Sequence, residues 1–84
     1  MIYEEYYKEL KDRMAAKSID SLIELFNQQV GNLGWVSIRA VYNKAIIDSF
    51  IAKRLDISVI YDGITTSFAR KITLNEDKTC VIFA

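Results

Sequence analysis

The sequence predicts an α+β fold: three N-terminal helices followed by a three-stranded antiparallel β-meander, with the helices packed on one face of the sheet. Three observations predict it. Apolar residues recur with helical period from residue 2 to about residue 55. After Asp56 the period gives way to the β-branched and aromatic run Ile57-Ser58-Val59-Ile60-Tyr61. Asp62-Gly63 then supplies a strong hairpin signal.

The first helix is expected over residues 2–15. Tyr3, Tyr7, Leu10 and Met14 fall at i, i+4, i+7 and i+11 and define one stripe, with Tyr6 on its flank. Glu4 and Glu5 in the first turn, with Arg13 and Lys17 near the end, match the helix macrodipole. Glu4–Lys8 and Glu9–Arg13 are spaced to pair on the exposed side.

Ser18 is a suitable N-cap for the second helix, with Asp20 in its first turn. Ile19, Leu22, Ile23, Phe26 and Val30 make a clean helical stripe, and Gly31 follows where a left-handed residue ends a helix. The turn Gly31-Asn32-Leu33-Gly34 leads past the single tryptophan, Trp35, to Ser37, the expected cap of a third helix reaching about Leu55.

That third helix is apolar on two sides. Ile38, Val41, Tyr42, Ala45, Ile46 and Ala52 occupy one broad face, and Ala40, Ile47, Phe50 and Ile51 the opposite one. Such a helix is buried twice, or is buried once and bound to a partner on its other side. A position between the helical pair and the sheet accounts for both faces. A second strand is then expected from about Thr65 to Leu74, a turn at Asn75-Glu76-Asp77, and a last strand from Lys78 to Phe83. The expected core includes Leu22, Phe26, Ile38, Val41, Ala45 and Ile72.

With 84 residues, the chain is expected to form one domain over positions 1–84, near the lower limit for a single core. A single cysteine, Cys80, forms no internal disulfide and sits in an apolar run as a small hydrophobe. The remaining route to extra stability is self-association.

Composition excludes more than it assigns. There is no histidine, so the commonest general base and the commonest metal ligand are both missing. The glycine turn lacks the lysine and preceding strand of a phosphate loop. No catalytic residue, cofactor, metal or small-molecule ligand is indicated. Eleven basic and eleven acidic residues cancel, which leaves no phosphate-seeking charge. The opening Met-Ile-Tyr-Glu-Glu-Tyr-Tyr is no signal peptide, and no apolar run approaches the ~20 residues of a membrane span. A cytoplasmic protein that does not engage a membrane is expected, and its small size without linkers is in keeping with a bacterial or mobile-element origin.

Two functional readings follow. The first is a non-catalytic protein-interaction domain, acting on a protein partner or on a second copy of itself. Its candidate contacts are Trp35, Ile47, Phe50, Ile51, Tyr3 and Tyr6, aromatic or apolar residues of the kind that anchor interfaces. The second is a winged helix-turn-helix that binds DNA. In it Ser37, Arg39, Asn43 and Lys44 face the duplex from a recognition helix, while Arg70 and Lys71 ride on a wing spanning Asp62 to Leu74. The apolar Ile47, Phe50 and Ile51 weigh against it, because a recognition helix leaves one side free for the groove. The tyrosines near the N-terminus have Glu4, Glu5, Glu9 and Asp12 beside them, which disfavours a base-stacking role.

Overall fold

A computed structural model describes residues 3–31 and 37–84. Asn32, Leu33, Gly34, Trp35 and Val36, together with the side chain of Ser37, lie outside the described residues. The expectations for the glycine turn, for Trp35 and for Ser37 as cap and DNA contact fall there.

Helix α1 spans Tyr3–Ala15, α2 spans Ile19–Gln29 and α3 spans Ser37–Ala52. Two short strands follow, β1 at Ile72–Leu74 and β2 at Val81–Phe83. They pair antiparallel, Ile72 with Phe83, Thr73 with Ile82 and Leu74 with Val81. The α+β class and the three helices therefore match expectation, whereas the sheet has two strands among the described residues.

The helix ends have clear local causes. Ser18 caps α2, its Oγ accepting from the Ser21 N–H at 3.1 Å, and Gly31 takes φ +75° just beyond the C-terminus. Helix α3 closes in a Schellman motif: the Leu55 N–H donates to the Phe50 carbonyl at 3.1 Å and the Arg54 N–H to the Ile51 carbonyl at 2.9 Å. Arg54 stands at the left-handed position with φ +60°, a place usually given to glycine.

The expected strand at Ile57–Tyr61 is instead a helical turn. The carboxylate of Asp56 accepts the Ser58 N–H at 2.9 Å, and the N–H groups of Ile60 and Tyr61 both donate to the Ile57 carbonyl at 3.0 Å. Ile57 and Ile60, three apart, are buried while Val59 between them is exposed, which is helical and not alternating burial. Asp56, whose side chain competes with a strand ladder by starting a local turn, retains a one-residue parallel bridge to Cys80 beside β2. The Asp62-Gly63 signal does mark a reversal: Tyr61 bridges Thr66 antiparallel, and the Asp62 carboxylate accepts the N–H groups of Ile64 and Thr65 at 2.8 and 2.6 Å. Those backbone donors hold the Asp62 carboxyl below the ordinary aspartate range.

Helix α1 packs on α3, α2 packs on α3, and β1 packs on α2. The sheet therefore rests on the second helix, where the sequence had placed it over the third. The core joins Leu10 and Met14 of α1, Leu22 and Phe26 of α2, Ala45, Ile46 and Phe50 of α3, and Ile72 and Val81 of the sheet. The Phe26 ring stacks on Phe68 at 4.4 Å and tilts against Phe50 at 6.4 Å. Ile38, expected in the core, is exposed. It lies in the first turn of α3, on a shallow depression with Tyr6, Gln29 and Tyr42, outside the region where the three helices converge. Among the described residues no helix is long and apolar enough to cross a membrane.

Candidate functional site: the surface around Lys44

The outward side of α3 carries two concavities separated by one side chain. Lys44 and Asp48, one turn apart on the helix, pair at 2.7 Å. The Tyr7 hydroxyl of α1 donates to the same carboxylate oxygen, Asp48 Oδ2, and the Lys44 ammonium stands 5.2 Å from the centre of the Tyr7 ring. Lysine, carboxylate and phenol thus form one three-residue network that ties α1 to α3.

The network shifts both titratable partners. Burial pushes the Tyr7 phenol up to about 12, with the hydrogen bond to Asp48 and the charge of that carboxylate adding to it. For Asp48, burial alone raises the pKa. The hydrogen bonds from Lys44 and Tyr7 and the charges of Lys44 and Lys11 together outweigh it and hold the carboxyl below its ordinary value. At neutral pH the site therefore holds a neutral phenol and a compensated ion pair.

On one side of Lys44 lies a groove of about 400 Å³ between α1 and α3, lined by Tyr3, Tyr7, Val41 and the side chains of Glu4, Lys8 and Lys44. Tyr3 is 48% exposed there, while Leu10 and Met14, further along the same stripe, are buried. The α1 stripe thus runs out of the core into the groove. Glu9 and Arg13 form the expected surface pair at 2.8 Å, whereas Glu4 and Lys8 form none among the described residues and remain at the groove edge.

On the other side of Lys44 a cavity of about 410 Å³ opens between α3 and the 61–68 segment. Ala40, Asn43 and Ile47 form its helical wall, and Tyr61, Thr66 and Phe68 face them. Ile64 stands at its lip, 91% exposed. Asn43 is 9% exposed, and its Oδ1 is buried with no hydrogen-bond partner.

No family model, curated protein or solved structure matches this chain. The reading of this surface accordingly rests on its own geometry.

That geometry redistributes the residues singled out in the sequence. Tyr3 borders the α1–α3 groove, and Tyr6 is half-buried on the neighbouring depression with Gln29 and Arg39. Ile51 is exposed. Ile47 and Phe50 are not surface contacts: Phe50 is fully covered inside the chain and Ile47 is the buried floor of the cavity. Leu55, Ile57 and Ile60 belong to the same buried cluster as Ile47 and Phe50. Trp35 lies outside the described residues.

The residues proposed for DNA do not form one open set. Asn43 is buried, Lys44 is held by Asp48, and the Arg70 guanidinium lies 4.3 Å from the centre of the Phe83 ring. Lys71 is exposed. The expected wing from Asp62 to Leu74 is a tight reversal followed by an edge strand, and not a two-stranded hairpin. Sequence reasoning missed Tyr7 and Asp48 as site residues. The Lys44–Asp48 spacing was a visible signal, but the link to Tyr7, 41 positions away from Asp48, had none.

Proposed function

We propose that this chain is a small non-catalytic binding module that docks a protein partner, a second copy of itself included, in the groove between α1 and α3. The observation that carries the reading is the continuation of the α1 core stripe into an apolar concavity of about 400 Å³ at which Tyr3 stands half exposed. Tyrosine in such a position offers a large rigid surface with a polar tip, the combination enriched at interface anchors. Val41 and the stem of Lys44 supply the opposite wall, and Glu4 and Lys8 place one charge of each sign at the edge. The winged-helix alternative has less support, because Lys44 and Arg70 are engaged within the chain and Asn43 is buried.

The test is a single exposed change. Tyr3→Arg puts a charge on the apolar wall and leaves the buried part of the stripe intact. Light scattering at micromolar concentration reads self-association, and capture from the native host reads a different partner. The proposal expects the wild type to associate and the variant, equally stable to heat, to lose the complex. An unaltered complex in Tyr3→Arg rejects the groove as the docking site.

A further inference from the structure

Ile64 is 91% exposed, whereas no other large apolar residue among those described exceeds 48%. A lone exposed isoleucine is ordinary on a protein surface, but this one is held in place. The Asp62 carboxylate accepts the Ile64 and Thr65 N–H groups at 2.8 and 2.6 Å, the Asp62 N–H donates to the Thr65 carbonyl at 3.3 Å, and the Ser67 N–H donates to the Ile60 carbonyl at 2.8 Å. Ile64 is thus an apolar knob on a fixed reversal, and fixing it beforehand lowers the ordering cost of binding. We infer that Ile64 seats in the α1–α3 groove of a second copy of this chain, so that two copies form a twofold dimer. The inference rests on the groove reading above and names its partner.

Position and charge both favour a second copy as the occupant. Lys44 borders the groove and also the cavity at whose lip Ile64 stands, so knob and groove flank one side chain. Rotation by 180° about an axis beside Lys44 exchanges the two sides. It sets each copy's Ile64 over its partner's groove, a self-complementary contact that closes on two copies. Tyr3, Tyr7 and Val41 give the groove its apolar walls. Segment 61–69 carries one charged residue, Asp62, whose Oδ1 makes both turn bonds and whose Oδ2 is left for a cation. Lys8 stands at the groove edge beside Glu4 and forms no ion pair among the described residues. Near the axis, Asp48 neutralises Lys44 at 2.7 Å, so the lysines of the two copies meet without an unbalanced charge.

A charge exchange between knob and groove tests the contact. Light scattering across a micromolar concentration series is measured for wild type, Tyr3→Arg, Ile64→Glu and an equimolar mixture of the two variants, with heat stability checked for each. The wild type is expected to scatter as two chains. Each variant alone should dissociate at concentrations about tenfold higher or more, the loss of an interface anchor. The mixture should dimerise again, because a mixed pair keeps one Ile64 in an unaltered groove and sets the introduced glutamate against the introduced arginine. A mixture that stays monomeric overturns the inference. So does a dimer unchanged in Ile64→Glu but lost in Tyr3→Arg, which leaves the groove as a docking site for a different surface. A monomeric wild type that captures another protein through Tyr3 likewise rejects the second copy and keeps the groove. Dimers unchanged in both variants overturn the inference and the groove reading together.

Discussion

The side-chain amide of Asn27 pairs with both backbone groups of Ile72. Its Nδ2 donates to the Ile72 carbonyl at 3.0 Å and its Oδ1 accepts the Ile72 N–H at 2.8 Å. One residue of α2 therefore does for the edge of β1 what a neighbouring strand would do, and it fixes the sheet to the second helix. An unpaired strand edge invites association with other chains, and here a carboxamide closes that position.

Asn27→Ala leaves the N–H and C=O of Ile72, a residue only 1% exposed, without partners. The expected loss is about 1–3 kcal/mol, read from urea unfolding followed by circular dichroism. Asn27→Asp keeps an acceptor but no donor and should fall between wild type and Asn27→Ala. A loss within measurement error would show that water replaces the amide without cost.

Phe26 is fully buried, stacked on Phe68 and tilted against Phe50. Phe26→Ala removes the ring on which α2, α3 and the 61–68 segment converge, and should cost roughly 3–5 kcal/mol. In a domain of this size that is a large share of the total stability. A change below about 1 kcal/mol in chemical denaturation contradicts this core assignment.

Two left-handed residues end helices with opposite side-chain fitness. Gly31 has φ +75°, and a Cβ added there would meet nothing within 4 Å, so Gly31→Val carries backbone strain alone, about 1–2 kcal/mol. Arg54 already bears such strain at φ +60°. Arg54→Gly should raise stability by roughly 0.5–1 kcal/mol, the relief being partly offset by the greater freedom of glycine in the unfolded chain. Thermal melts of the two variants should move in opposite directions, and a shift of the same sign in both would defeat the argument.

The Tyr7–Asp48 link makes stability depend on pH at both extremes. The Tyr7 pKa is raised in the folded state from 10.0 to about 12, so its contribution is complete below pH 10 and is lost as pH rises through about 12. Asp48 is held below 3.8, so its contribution is complete above that value and is lost as pH falls beneath it. Tyr7→Phe should flatten the alkaline decline and leave a smaller acid one, because Lys44 still holds the carboxylate. Unfolding free energies measured across pH for wild type and variant check both ends; parallel alkaline curves would remove Tyr7 as the cause.

The three helices, the capping role of Ser18, the left-handed Gly31 and most of the core, including Leu22, Phe26, Ala45 and Ile72, were legible in the residues alone. These follow from local spacing: a stripe of helical period and a cap are written within a few adjacent residues. The reversal at Asp62-Gly63 was legible for the same reason. What flanks it was not, because Ile57 to Tyr61 suits a strand by composition, and the outcome turned on whether the Asp56 carboxylate met a local N–H or a strand partner. The two apolar sides of α3 were legible, yet not what would meet them: the sheet packs on α2, and Leu55, Ile57 and Ile60 join the buried cluster with Ile47 and Phe50. That Asn27 would meet Ile72, that Tyr7 would reach Asp48, and that Asn43 Oδ1 would be buried without a partner emerged from tertiary packing alone. Each of these joins residues from separate elements, and such meetings depend on how helices and turns dock in three dimensions, which no periodicity along the chain encodes.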